Sequence, residues 1–146
     1  MARQALWPCL ALMAVLGGCR GRAGPPDPVA TVSTPPRTDV TVTEITLGRA
    51  LQPDRRVAHP LDTFAPGDTV YASVLTEGTA RRGVLKARWT DQSSKVVSEA
   101  SIDIAPSGTT ASEFHISRPD GLPAGRYEVE VFLDGASVGK RTFSVQ

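Results

Sequence analysis

Cysteine is nearly absent from this chain, and the positions of its two copies exclude a great deal. Cys9 lies inside an apolar stretch at the amino terminus and Cys19 at the end of that stretch, so the rest of the 146 residues carry no thiol. A disulfide framework, a thiolate metal cluster and a cysteine nucleophile are therefore excluded from the body of the protein. Burial of apolar side chains must hold the fold, which roughly 100 residues can do. Aromatic residues are also scarce, at 5%, too few to stack nucleic-acid bases. Net charge is lacking too: 16 Lys and Arg stand against 15 Asp and Glu. Without residues 1–18 and their one cation, Arg3, the count is 15 against 15. No field remains to draw nucleic acid or an acidic bilayer.

Signatures of catalysis are equally thin. His59, in a loop before Pro60, and His115, between Phe114 and Ile116 on an outer strand face, are the only histidines. They have no metal-ligand spacing, so no metal and no cofactor is expected. No serine sits in a Gly-x-Ser-x-Gly elbow, and no glycine loop is shaped to cradle phosphate. Glu128 and Glu130, two apart on one face, suit cross-strand ion pairs better than acid–base work. The pairs Arg55-Arg56 and Arg81-Arg82 belong to solvated loops. A small hydrolase or metal-dependent enzyme using His59 or His115 is the alternative reading, and it needs these groups to converge.

What is present begins with the leader. Arg3 supplies a positive start, and Ala5 to Leu16 form an apolar run too short to span a hydrocarbon core of about 30 Å. Leu16-Gly17-Gly18-Cys19 follows. This segment resembles the lipobox of bacterial lipoproteins, an aliphatic residue and two small ones before cysteine. The resemblance implies cleavage between Gly18 and Cys19, a diacylglyceryl thioether on Cys19 and acylation (palmitate) of the new amino terminus. Several acyl chains together anchor stably where one alone does not. It also implies a cell-envelope address. Arg20 replaces the Asp that favours inner-membrane retention in this family, so the outer membrane, facing the periplasm, is expected.

Residues 19–39 contain five prolines among small and hydroxylated residues. Such a composition cannot build a core. It extends at about 3 Å per residue, a reach of about 50 Å, and reads as a spacer.

From residue 40 to 146, alternating runs are punctuated by Gly, Pro and Asp about every ten residues, with no sustained helical period. Strands are expected near 40–47, 69–76, 83–90, 96–104, 110–117, 126–133 and 138–145. Seven strands in about 105 residues fit an all-β, two-sheet sandwich. Pro123-Ala124-Gly125-Arg126-Tyr127-Glu128-Val129 resembles the tyrosine corner of immunoglobulin-like and fibronectin-like domains. That likeness implies a hydrogen bond from Tyr127 back to the connection before it. Val129 stands where antibody domains carry cysteine. The run Asp62-Thr63-Phe64-Ala65-Pro66-Gly67-Asp68-Thr69-Val70-Tyr71, with Phe132-Leu133-Asp134-Gly135, resembles bacterial periplasmic sandwich domains of unassigned role. There, proline–glycine segments turn the chain from sheet to sheet.

A register follows from side-chain pairing. With Trp89 facing Tyr127, Leu85 meets Val131 and Ala87 meets Val129 on one face. On the other, Lys86 meets Glu130, Arg88 meets Glu128 and Val84 meets Phe132, each pair worth about 0.2–1 kcal/mol. A three-residue turn at Asp134-Gly135-Ala136 then sets Phe143 beside Tyr127, Lys140 beside Glu130 and Val138 beside Phe132. Arg141 is the misfit, pointing inward opposite Val129, so a bulge or a snorkelling side chain is expected there. Val84, Phe132 and Val138 form an outward apolar row bordered by Lys86, Glu130 and Lys140, a candidate contact patch. The expected partners are a membrane, through lipid on Cys19, and an envelope protein or glycan. No nucleic acid is expected. A binding module, a positional assembly subunit and the histidine enzyme remain the open function classes.

Overall fold

The computed structural model describes residues 39–146. The leader, Cys19 and all of the spacer but Asp39 lie outside the described residues. Eight strands and no helix occur among the described residues: β1 (Asp39–Gly48), β2 (Thr63–Phe64), β3 (Val70–Thr79), β4 (Gly83–Asp91), β5 (Val96–Ile104), β6 (Thr110–Ile116), β7 (Gly125–Leu133) and β8 (Ala136–Val145). They form a three-stranded sheet, β1-β3-β6, and a five-stranded sheet, β2-β8-β7-β4-β5. The seven expected strands all occur within a few residues of their expected bounds. β2 is the addition, too short to carry an alternation of its own.

Period-two patterning accounts for the two layers. β4 buries Leu85, Ala87 and Trp89; β7 buries Tyr127, Val129, Val131 and Leu133; β3 buries Val70, Ala72, Val74 and Thr76. Each removes its apolar face from water at about 25 cal/mol per Å². Phe143 on β8 gathers the aromatic part of the core. Its ring stacks on Tyr127 at 5.3 Å and meets Phe64 and Trp89 edge-on at 5.5 and 5.8 Å. The Trp89 indole N–H is buried and has no hydrogen-bond partner among the described residues.

Two proline–glycine segments carry the chain between sheets. After β2, the Ala65 amide donates to Asp68 Oδ2 and the Asp68 amide to the Ala65 carbonyl, closing a turn that delivers β3 to the other sheet. The connection from β6 to β7 crosses back. Its Leu122, 1% exposed, plugs the core while its amide donates to the Pro66 carbonyl. Tyr127 Oη donates to the Pro123 carbonyl at 2.7 Å, the corner implied by the sequence.

The register of β4 against β7 differs from the expected one by two residues. Leu85 lies opposite Leu133, Lys86 opposite Phe132, Ala87 opposite Val131, Arg88 opposite Glu130 and Trp89 opposite Val129. Asp134 decides this. Its amide donates to the Val84 carbonyl, and the Val84 amide donates to Asp134 Oδ1, so Asp134 is clamped opposite Val84. A two-residue slip keeps every side chain on its face, so alternation cannot reject it.

The last hairpin differs in a related way. The loop has two residues: Asp134 and Gly135, at φ 49 and 86, between paired Leu133 and Ala136. Positive φ at both central positions suits the right-handed twist of a hairpin. A bulge then inserts Val138, because Phe132 pairs with Ser137 and Val131 with Gly139. Beyond the bulge the expected pairs return, Glu130 with Lys140, Val129 with Arg141 and Tyr127 with Phe143.

β1 and β8 border an open seam between the sheets. β8 has β2 as neighbour only at Ser144 and Val145, and β1 is bulged at Thr43, between the pairs Val42–Thr76 and Glu44–Leu75. Arg141 spans the seam, its Nε donating to the Ile45 carbonyl at 2.8 Å. The arginine expected to point inward is thus exposed, its side chain satisfied at an edge.

Candidate functional site

The outer face of the five-stranded sheet holds the residues picked out from sequence. Val84 and Val138 are 38% and 36% exposed. Phe132 between them is half-buried, because Lys86 Nζ and Arg88 Cζ lie 4.9 and 5.0 Å from its ring centre. The corrected register explains this cover, since Lys86, rather than Val84, stands opposite Phe132. A cation over an aromatic face is worth about 0.5–1 kcal/mol when exposed. Val138, unpaired in the bulge, lines a groove with Val42 to Ile45 of β1, so the three apolar residues do not form an unbroken strip.

The charges around them neutralise one another. Lys140 Nζ reaches Glu128 Oε1 at 2.9 Å and Glu130 Oε1 at 3.6 Å. Hydrogen bonding to Glu128, then attraction to both carboxylates, raises the Lys140 pKa above its ordinary value. Ser137 Oγ donates to Glu130 at 2.7 Å. Arg88 Nε and Lys86 Nζ both turn to Glu99 on β5, at 2.8 and 3.7 Å, in place of the expected Glu128 and Glu130. The Arg88 hydrogen bond is the main reason the Glu99 carboxyl is more acidic than usual. Such a face is a lattice of cross-strand pairs, consistent with cation–carboxylate pairing for Glu128 and Glu130.

The two histidines lie on separate elements. His59 is exposed in the loop between β1 and β2, and His115 is exposed on β6, its ring 5.7 Å from that of Tyr71. No group of three His, Cys, Asp or Glu able to hold a metal ion occurs among the described residues. The loop carrying His59 folds over the outer face of the small sheet. Leu51 bridges Val57, the Leu61 amide donates to the Leu47 carbonyl, and Val57 is buried. Arg56 pairs with Asp54 at 3.5 Å, and Arg82 with Asp103 at 4.0 Å, both on open surface.

One cleft was not visible in the sequence. It lies at the end of the sandwich, has a volume of about 320 Å³, and is bounded by the β4–β5 turn and the β6–β7 connection. Asp91 braces the turn side: its Oδ1 accepts from the Ser93 amide at 2.8 Å, Ser93 Oγ at 2.6 Å and the Lys95 amide at 3.1 Å. The Ser93 hydroxyl is the leading cause of an Asp91 pKa below the usual carboxylate range. Tyr127 supplies part of the lining, and Lys95, Arg118 and Arg126 reach the cleft from three different stretches of chain. No local motif announces it, because its walls are 20 and more residues apart in sequence.

No protein-family model and no curated protein matches the chain. Among solved structures, an immunoglobulin-like protein from Pseudomonas aeruginosa superposes with a TM-score of 0.50 at 10% identity, over 76% of this chain and 99% of that one. The fold is immunoglobulin-like. A match with the same TM-score, 0.50, lies within a β-glucosidase involved in saponin metabolism from intestinal bacteria, at 18% identity. It covers 75% of this chain and 16% of the glucosidase. A Pseudomonas fluorescens alkylpurine DNA glycosylase, bound to DNA with an abasic site analog, gives 0.49 at 16% identity, over 75% of this chain and 31% of that one. The chain thus spans less than a third of either enzyme.

Proposed function

We propose that this protein is an envelope lipoprotein, tethered through lipid on Cys19, whose immunoglobulin-like sandwich is a non-enzymatic binding or assembly module. The observation that carries the reading is the likeness to an immunoglobulin-like protein, matched over 99% of that chain. The leader Leu16-Gly17-Gly18-Cys19 and the proline-rich spacer support the tether. Function on such a scaffold resides in surface sites. The face bearing Val84, Phe132 and Val138 is the proposed contact surface, with an envelope protein or glycan as partner. The outer membrane, on its periplasmic side, is the proposed location.

Two variants test the two halves of this reading. Cys19→Ala is expected to abolish labelling by an alkynyl fatty acid and to move the chain from the membrane to the soluble fraction. Retained label and membrane association would refute the tether. Phe132→Glu is expected to leave the thermal midpoint within a few degrees while reducing crosslinking of the tethered chain to envelope components. Unchanged crosslinking would remove that face from the reading.

A further inference from the structure

The end cleft carries an excess of unpaired positive charge. Lys95, Arg118 and Arg126 line it, and none makes an ion pair among the described residues. On the outer sheet face, by contrast, Lys86, Arg88 and Lys140 each have a carboxylate within 4 Å. The one acid lining the cleft is Asp91, whose Oδ1 is committed to Ser93 and the Lys95 amide. The cleft is therefore cationic by two charges, in a chain otherwise close to neutral.

The other lining residues define what accompanies the anion. Gln92 contributes an amide that both donates and accepts, lying over the Gly125 backbone with its side-chain atoms 3.6 to 3.8 Å from where a Cβ would stand. Val96, 50% exposed, with Val97, Pro123 and Ala124, provides an apolar flank. The volume, about 320 Å³, is at the lower end of the range for small-molecule sites. A ligand matching all three features carries an anionic group, hydroxyls to meet the amide, and a C–H face to cover the valines. A sugar acid has that combination.

We infer that this cleft binds an acidic saccharide, its carboxylate held by Lys95, Arg118 and Arg126 and its ring against Val96 and Pro123. Guanidinium groups suit this task because their N–H pairs match a carboxylate's two oxygens. The inference deepens the binding-module reading by naming a partner class, and it uses a surface distinct from the Phe132 face.

The test is a titration of the full chain in mild detergent with glucuronate, glucose and inorganic phosphate separately, following backbone amide NMR shifts. Glucuronate is expected to shift the amides of Gln92 to Val97 and Gly125 to Tyr127 saturably. Glucose, which lacks the carboxylate, is expected to bind at least about tenfold more weakly. Arg118→Gln and Arg126→Gln, both at exposed positions, should each weaken glucuronate binding about tenfold without changing the thermal midpoint. Arg81→Gln, outside the cleft, should leave it unchanged. Absence of saturable shifts at these amides, or parental affinity in both cleft variants, would overturn the site. Phosphate binding in preference to glucuronate would overturn the saccharide assignment. Either failure, with crosslinking to envelope components intact, removes this inference and leaves the binding module standing. Loss of crosslinking by the parent chain removes the module reading whatever the titration shows.

Discussion

Adding one methyl group at Gly78 and, separately, at Gly135 separates two costs that are usually measured together. Both glycines have positive φ, +125 and +86. At Gly135, in the Asp134-Gly135 turn, a Cβ meets nothing within 4 Å. Alanine there bears only the left-handed backbone cost, about 1–2 kcal/mol, offset by about 0.4–1 kcal/mol through a stiffer unfolded chain. The expected loss is about 0.5–1.5 kcal/mol. At Gly78 the Cβ would lie 1.9 Å from the Asp39 carbonyl oxygen and 2.9 Å from Val40 Cα, all main chain. Gly78 is held from its other side as well, its carbonyl accepting the Gly108 amide at 2.8 Å. Relief therefore requires the start of β1 to leave β3, exposing Val40, which is 6% exposed in the fold. That adds about 1.5–3 kcal/mol of lost burial to about 1–3 kcal/mol of backbone strain. Gly78→Ala should thus cost about 3–5 kcal/mol, against a total stability of about 5–15 kcal/mol. Urea unfolding followed by Trp89 fluorescence measures both variants, and amide exchange at Val40 reports whether β1 has lifted. Equal costs for the two, or a Gly78→Ala chain with Val40 still protected, would refute the close-approach argument.

Tyr127→Phe should cost about 0.5–1.5 kcal/mol through the lost bond to Pro123, read as a shift in the urea midpoint. Burial raises the Tyr127 pKa above its ordinary value, with Asp91 adding to the rise, so the folded state holds the phenol proton more tightly than the unfolded one. That stability is intact below about pH 10 and is lost as pH climbs through the folded value. The phenylalanine variant should show a shallower alkaline decline, and parallel declines would discount Tyr127. Phe143→Ala removes the ring shared by Phe64, Trp89 and Tyr127. It should cost about 3–5 kcal/mol, with broadened near-ultraviolet dichroism. A loss under about 1 kcal/mol would mean that the cluster repacks around the gap.

The fold was legible wherever one face had to be dry. Leu85, Ala87 and Trp89 alternate with Val84, Lys86 and Arg88, and that alone places the two faces of β4. Translation along a strand by two residues was not legible, because every side chain keeps its face and the inner apolar matches survive it. Only a local device, the Asp134 clamp on Val84, selects among such alignments. β2 escaped notice because two residues have no period, although Phe64 is 2% exposed and pairs with Val145. The candidate surfaces divide similarly. Val84 and Val138 are exposed, while the cover over Phe132 and the bulge at Val138 depended on the alignment. The end cleft joins Lys95, Arg118 and Arg126 only through tertiary structure, so nothing in the spacing of these residues marks them as neighbours.

The two bulges on the seam strands have a consequence for neighbouring copies. On the proposed tether a chain would meet its own kind far more often than in free solution, and the seam strands carry unpaired backbone groups. Straight strands would let those groups zip copy to copy into a growing ribbon. Thr43 kinks one strand and Val138 the other, with Arg141 occupying the gap between them. A strand bent in this way cannot present a long, even row of donors and acceptors. Along this seam, copies held on the proposed tether would then not pair strand to strand.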